Sequence, residues 1–202
     1  MLSTYIAVVI KVFFLMTPFF ALSMFLSYTA NYTLAHKRKT AIKTSMAVVA
    51  ITLLIYWFGE YLFMVLGITI DAFRIGAGIV LLLTAIALVN GPTGSNAKKV
   101  AEDDAQDITV VPLAMPTTVG PGTIGALLVM GADGGSITLR AVISLGIVSA
   151  ICLLAVVLLM AEQLERLLKR NGIQILSKVT GLMLAALAAQ IIFDGIKNFL
   201  IK

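Results

Sequence analysis

The chain is poor in the residues that carry metal, redox and disulfide chemistry. Its 202 residues include a single cysteine, Cys152, and a single histidine, His36. One cysteine cannot form an internal disulfide or a cysteine-based metal site, and one histidine cannot complete a zinc or haem site by itself. The apolar segments also lack paired acids and a nucleophile with a neighbouring base. We therefore predict no metal, no cofactor and no catalytic residues, and we do not expect an enzyme.

Charged residues are scarce as well. They make up 12% of the chain, and hydrophobic residues make up 60%. A typical soluble domain carries about 25% charged residues, and it could not cover so much apolar surface in water. The net charge of +5 comes from basic residues grouped between apolar segments, so nucleic-acid binding is not expected. The composition predicts an all-α polytopic membrane protein whose first partner is the lipid bilayer.

Six apolar segments have roughly the length that a helix needs to cross a bilayer, which is about 20 residues. The segments cover residues 5–27, 46–67, 72–89, 109–130, 139–161 and 175–200. The first ten residues lack the basic positions of a signal peptide, so the first segment is predicted to be retained. We predict three regions along the chain. They are a first three-helix unit over 1–91, a polar cytoplasmic linker over 92–108 and a second three-helix unit over 109–202.

The distribution of lysine and arginine predicts the orientation of these helices. If the N-terminus lies outside, ten basic residues fall inside, in segments such as the predicted basic loop over 36–39, and four fall outside. Basic residues favour the cytoplasmic side of a membrane. Both termini are therefore predicted to be extracytoplasmic.

The third and sixth segments resemble each other. Arg74 and Gly91 are 17 positions apart, as are Lys178 and Gly195, and the two copies are offset by 104 residues. Two units of three spans must insert with opposite orientations, which gives the inverted repeat found in many secondary transporters. The alternative is a chance likeness between two apolar helices.

The fourth segment carries the most informative motif. Three prolines and two glycines, Pro112, Pro116, Gly120, Pro121 and Gly122, fall within eleven residues. Each proline removes a backbone donor, and a carbonyl freed in lipid must find another partner. We therefore predict a break that faces protein or a water-filled cavity. The alternative is a kinked helix whose glycines serve close helix packing.

A break in the membrane exposes N–H groups at the start of one helix and C=O groups at the end of another. These opposite partial charges suit the two ends of a zwitterion such as an amino acid. Pro18 is expected to kink the first segment, so that both breaks line one central cavity. The predicted solute-binding residues are Pro116, Thr117, Thr118, Gly120, Pro121, Gly122 and Thr123 in the fourth segment and Thr17, Pro18 and Ser23 in the first.

Ionisable residues within the spans give a second functional hypothesis. Glu60 lies in the second segment and is a candidate for proton coupling, because ionisable groups inside membranes are often functional. The alternative is that Glu60 and Lys11 extend to the membrane interface. Asp71, Arg74 and Asp194 lie near span ends and are expected to be interfacial.

The motif PLAMPTTVGPGT over 112–123 and the run GITIDAFRIGAG over 67–78 resemble the MarC family of membrane proteins. The resemblance extends over nearly the whole chain. It implies six spans, a location in the inner (plasma) membrane and kinship with small-solute exporters of the LysE type. The first span departs from the family pattern, which has an Asp-Pro or Asn-Pro step, a Gly-Asn pair and a second proline. Here the corresponding stretch begins at Thr17-Pro18 and continues as FFALSM.

These observations predict a secondary transporter of a small neutral solute, an amino acid above all, that works by alternating access. Coupling to H⁺ or Na⁺ and assembly into a homo-oligomer are both compatible with that function. The alternative is a non-transporting membrane component or a degenerate paralogue, which the altered first span favours.

Overall fold

The computed structural model describes residues 2–90, 113–115, 118–133 and 135–200, without the side chains of residues 59, 60, 62, 63 and 66. The predicted linker over 92–108 lies outside the described residues. The described part of the chain is all-helical. Its helices are α1 (Leu2–Leu15), α2 (Pro18–Tyr28), α3 (Leu34–Leu66), α4 (Ile70–Asn90), α5 (Pro121–Ala132), α6 (Ile137–Leu159) and α7 (Ala161–Leu200).

Four of these helices, α3, α4, α6 and α7, are long and apolar enough to cross a membrane. The pair α1 and α2 forms a fifth candidate span that is bent by 43°. Helix α5 has only 12 residues and rises about 18 Å, short of the ~30 Å hydrocarbon core. The described residues thus support four spans, or five with the bent pair. The sixth span stays a prediction, because residues 109–112, 116 and 117 of the predicted segment lie outside the described residues.

The prediction of a basic loop over 36–39 is wrong. Helix α3 already begins at Leu34, and the Thr33 hydroxyl caps it by accepting a hydrogen bond of 3.4 Å from the His36 N–H. Hydropathy detects where a segment leaves the lipid, whereas lysine, arginine and alanine continue a helix readily. A helix can therefore extend beyond the membrane boundary without any change in backbone structure.

The same reasoning applies to the start of α7. Its first turns carry Glu162, Glu165 and Arg166, well before the apolar part of the helix. Lys169 interrupts the helix with φ 55° and ψ 172°, a conformation that only glycine adopts without strain. Helix α7 therefore consists of a short polar part and a longer apolar part.

A tight turn joins α3 to α4, as the sequence predicts. Gly67 ends α3 in the left-handed conformation with φ 64°, which a side chain with a Cβ would disfavour. Helix α4 begins three residues later, at Ile70. The turn therefore returns the chain into the bundle immediately.

Helices α4 and α7 pack antiparallel along much of their lengths. Gly195 lies against the start of α4 at Asp71 and Arg74, and Gly181 lies against its other end at Ala85. Helix α5 packs between α3 and α4, α2 packs on α7, and α6 packs on α1 and α3. The buried core combines large aliphatic and aromatic side chains from these helices, including Leu15, Phe25, Leu81, Leu127, Ile151 and Leu184.

Candidate functional site

The first break in the bundle lies between α1 and α2. Helix α1 tightens at its end, where the Thr17 N–H donates to the Phe14 carbonyl at 3.0 Å. Thr17 adopts φ 46° and ψ 60°, a left-handed conformation that is uncommon for a β-branched residue. Pro18 then occupies the first position of α2, where its missing N–H costs nothing. The kink predicted at Pro18 is confirmed.

The second break precedes α5 and has the same form. Gly120 stands before the helix in an extended conformation, and Pro121 is the first helical residue. Upstream, the Thr118 hydroxyl donates to the Leu113 carbonyl at 2.8 Å, and the Val119 N–H donates to the Ala114 carbonyl at 2.9 Å. These five-residue spacings form a widened turn rather than an α-helix.

A buried hydrogen bond joins the two breaks. The Thr123 hydroxyl in the first turn of α5 donates to the Leu15 carbonyl at the end of α1, at 2.8 Å. Continuing the helix would have supplied that carbonyl with an N–H group, but the chain breaks at Thr17. Thr123, Thr17 and Leu15 are exposed by only 4%, 6% and 1%. We call Leu15, Thr17, Pro18, Gly122 and Thr123 the break junction.

The break junction places a carbonyl end against an N–H end. Helix α1 ends there, so its last carbonyls carry partial negative charge, and α5 begins there, so its first N–H groups carry partial positive charge. Neither α5 nor α2 receives a side-chain cap at its start. The arrangement places groups of both polarities at one buried place.

The structure brings together part of the predicted site. Thr123 bonds to the Leu15 carbonyl, two residues before Thr17 and three before Pro18, and Gly122 precedes Thr123 in α5; Thr118 is buried in the preceding turn. Ser23 does not join them. It is exposed because the buried face of α2 consists of positions 18, 21, 22 and 25.

Five further predicted residues lie elsewhere or cannot be placed. Pro121 is exposed and Gly120 is half-buried. Pro116, Thr117 and the side chain of Glu60 lie outside the described residues, so their predicted roles stay predictions. The Leu15 carbonyl was missed from the sequence, because a backbone oxygen in an apolar run gives no signal in residue type.

Gly122 also serves close helix packing. A Cβ at this position would lie 2.9 Å from the Cα of Leu81 on α4, closer than real Cβ contacts allow. Gly125, one turn later, faces Ala77 of the same helix. The packing interpretation of these glycines therefore holds whether or not the junction binds a solute.

An ion network closes one end of the bundle. The Arg74 guanidinium binds the Asp71 carboxylate at 2.9 Å and also binds Asp133 at the end of α5. Lys11 on α1 lies within electrostatic range of Asp133 and of Asp194 on α7. The ion network of Asp71, Arg74 and Asp133 thus connects the start of α4 to the end of α5, and Lys11 and Asp194 add charges from α1 and α7 nearby.

Asp71 lies in the first turn of α4, near a span end as predicted, and it is covered by protein there. Asp71 is only 8% exposed, because Arg74 and the surrounding helices cover it. Asp133 lies just beyond α5, where burial raises the pKa of its carboxyl above the ordinary value, against the opposing effect of the Arg74 guanidinium.

The opposite end of α7 carries a separate ion pair. Lys37 Nζ on α3 lies 2.9 Å from Glu162 Oε1 on α7. Their side chains are 16% and 27% exposed, so the pair is partly protected from solvent. It ties the starts of two long helices together at the basic end of the molecule.

Apolar helices of membrane-spanning length and buried polar contacts between helix breaks define a multi-pass integral membrane protein. A family model described as MarC family integral membrane protein matches residues 2–200. The chain therefore belongs to the MarC family.

Named relatives agree with this assignment. The UPF0056 membrane protein MJ1677 of Methanocaldococcus jannaschii is 34% identical over 194 residues, which cover 95% of each chain. YhcE, a UPF0056 membrane protein of Escherichia coli, is 32% identical and aligns with 94% of this chain over 90% of its own length. A UPF0056 membrane protein of Aquifex aeolicus is 32% identical, over 92% of this chain and 89% of its own. No solved structure matches the chain.

Proposed function

We propose that this protein is a secondary transporter of a small neutral solute, most suitably an amino acid, in the inner (plasma) membrane. The observation that carries the proposal is the break junction. Two helix breaks meet in the protein interior and present uncapped helix starts beside a helix end. In lipid, irregular backbone persists only where protein or an aqueous cavity covers it.

The junction suits a zwitterion in a specific way. The ammonium of an amino acid would take the place of the Thr123 hydroxyl on the Leu15 carbonyl. The carboxylate would then accept hydrogen bonds from the first N–H groups of α5 and from the released hydroxyl. Backbone groups contribute most of these contacts, so side-chain selectivity would come from the surrounding apolar residues.

The helix packing supports the proposed inverted repeat. In each half, the helix that follows the break packs on the third long helix of the other half: α5 on α4, and α2 on α7. Helices α4 and α7, which carry the two similar segments, run antiparallel to each other. Such reciprocal contacts are those that a two-fold axis in the membrane plane generates.

The two ends of the molecule suit alternating access. The ion network holds one end closed, and the Lys37–Glu162 pair holds the other. In the proposed cycle, one set of ion pairs dissociates while the other stays formed. Basic residues of α3 and α7 lie at the Lys37–Glu162 end, so we place that end in the cytoplasm, with both termini extracytoplasmic. Coupling to H⁺ through Glu60, or to Na⁺, stays part of the proposal.

A non-transporting component of the membrane is the second candidate. Two observations favour it: Gly122 is occupied in packing against Leu81, and the hydrogen bond from Thr123 already satisfies the Leu15 carbonyl. Replacing Gly122 by leucine would not separate the two candidates, because the clash with α4 would destabilise either protein. A substitution that keeps the shape of the junction is needed.

Uptake of labelled alanine or glycine into proteoliposomes tests the proposal, with and without a pH gradient and with a Na⁺ gradient. We expect uptake above that of protein-free liposomes and a loss of about tenfold in Thr123→Val, the effect of one strong hydrogen bond. Thr180→Val is the matched control, because the Thr180 hydroxyl is buried but donates within its own helix. Uptake equal to that of empty liposomes, from folded protein, would refute transport.

A further inference from the structure

A cleft at the basic end of the bundle combines an apolar floor with an excess of positive charge. It lies where α2 and α6 end and where α3 and α7 begin. Its apolar lining includes Phe25, Leu34, Leu158 and Leu159, and its charged rim includes Lys37 and Arg38. We call it the basic cleft.

The charges around the basic cleft do not balance. Lys37, Arg38 and Arg166 all act electrostatically on one carboxylate, that of Glu162. Only Lys37 binds it directly, at 2.9 Å. Within the described part of the chain, Arg38 and Arg166 form no ion pair, and both are exposed. Two positive charges therefore remain beside the cleft.

The position of these charges on α3 increases the imbalance. The first turn of α3 contains no acidic residue, and Lys37, Arg38 and Lys39 follow within its first two turns. Acidic residues are normally favoured at a helix start, and cations there meet the positive end of the helix dipole. Cations at a helix start lower the stability of the protein by itself, and such an arrangement is expected where a bound anion offsets the repulsion.

The apolar part of the cleft decides which anion fits. Leu34 and Leu159 are 56% and 38% exposed at its edge, and Phe25 and Leu158 are buried beneath it. A free phosphate would leave this apolar surface uncovered, whereas a phospholipid would cover it with an acyl chain and place its phosphate on the arginines. The cleft also lies at the ends of membrane-spanning helices, where headgroups are found.

We propose that the basic cleft is a binding site for one anionic phospholipid, with Arg38 and Arg166 binding the headgroup. The proposal does not depend on transport, because the cleft lies at the far end of α2 from the break junction. Positive charge near a membrane surface attracts anionic lipids over zwitterionic ones, by about fivefold for each arginine or lysine.

Native mass spectrometry of the full chain, released from neutral detergent with phosphatidylglycerol or phosphatidylcholine, tests the proposal. The wild type should retain one phosphatidylglycerol in preference to phosphatidylcholine. Arg38→Gln combined with Arg166→Gln should weaken this binding by about 25-fold, which is two steps of about fivefold. Lys197→Gln is the matched control, since Lys197 is an exposed cation at the opposite end of α7, and it should have no effect.

Glu162→Gln tests the proposal in the opposite direction, because it should strengthen lipid binding. It removes the carboxylate that lines the cleft and releases Lys37, so phosphatidylglycerol should bind about fivefold more tightly. A variant that merely damaged the fold would bind less, and its melting temperature would fall. A wild type without preference for phosphatidylglycerol, or an arginine double variant no weaker than the Lys197 control, would overturn the proposal.

Glycerol 1-phosphate distinguishes the two sources of phosphate. It carries the headgroup chemistry without acyl chains, so millimolar concentrations should not displace phosphatidylglycerol from the cleft. Displacement as effective as that by phosphatidylglycerol itself would show a site for a free anion and would refute the lipid assignment.

Discussion

The hydrogen bond between the two breaks can be tested by replacing Thr123 with valine. The substitution keeps the shape of the side chain and removes only the hydroxyl, which donates to the Leu15 carbonyl at 2.8 Å. Because Leu15 is 1% exposed and ends its helix, this carbonyl would have no other obvious donor. The variant therefore isolates a single contact between residues far apart in sequence.

The expected loss of stability is about 1 kcal/mol. A buried acceptor that loses its partner costs about 1–3 kcal/mol in proteins generally. Hydrogen bonds between membrane helices have measured contributions averaging about 0.6 kcal/mol and reaching about 1.7 kcal/mol, because the unfolded chain also finds partners. The extra methyl group of valine returns part of the loss through burial. The contribution measured for hydrogen bonds between membrane helices is the better guide to this loss of stability. We expect a loss in the upper half of that range, because the Leu15 carbonyl stays buried in the variant.

Equilibrium unfolding in mixed micelles with increasing SDS, followed by circular dichroism, measures this loss. Thr180→Val is the control, since its hydroxyl donates to the Leu176 carbonyl, which the backbone of the same helix can also satisfy. That variant should change the unfolding free energy little. If the two variants differ by less than about 0.3 kcal/mol, the smallest difference that such comparisons resolve, the breaks do not meet through this bond.

Three further tests of other parts of the structure use the same unfolding measurement. Gly131→Ala should lower the free energy of unfolding by about 2 kcal/mol or more, because its new Cβ would overlap the Tyr56 carbonyl. Gly76→Ala is the control and should stabilise the protein slightly, because a Cβ there would have no neighbour within 4 Å. Equal effects of the two substitutions would disprove this packing. The Thr17→Gly variant should be more stable than the Thr17→Ala variant by about 1 kcal/mol. Both lose the threonine hydroxyl and methyl groups, but only glycine tolerates φ 46° without strain. The reverse order of stability would contradict the left-handed conformation at the break. Arg74→Gln should cost about 2 kcal/mol or more by leaving two carboxylates without their shared cation, whereas an unchanged stability would show that the ion network is not formed.

Much of the helical architecture could be predicted from apolar composition alone. The predicted third segment, 72–89, corresponds to α4 over Ile70–Asn90, and the fifth, 139–161, corresponds to α6 over Ile137–Leu159. In lipid, a chain must satisfy its backbone groups internally, so a long apolar run has few choices besides a helix. Pro18 likewise marked the first break, because proline cannot continue the hydrogen bonds of a helix interior.

The predictions failed where structure depends on distant partners. Asp71 was expected near a span end, but the sequence did not show that it is buried there, where Arg74 and Asp133 form an ion network that lowers the cost of burial. Ser23 was included in the site because it is polar and close to Pro18. Its position on α2 turns it away, since the packed face of a helix follows a period of 3.6 residues and not nearness in sequence.

The sequence by itself determined that this is a helical membrane protein with breaks at Thr17-Pro18 and near Gly120-Pro121. These features are local, because they follow from apolar length, missing N–H groups and the conformational limits of single residues. Only the tertiary structure decided that the Leu15 carbonyl meets the Thr123 hydroxyl across 108 positions of sequence. A backbone carbonyl has the same chemistry in every residue, so the residue type does not indicate its hydrogen-bond partner. The packing of the helices determines that partner.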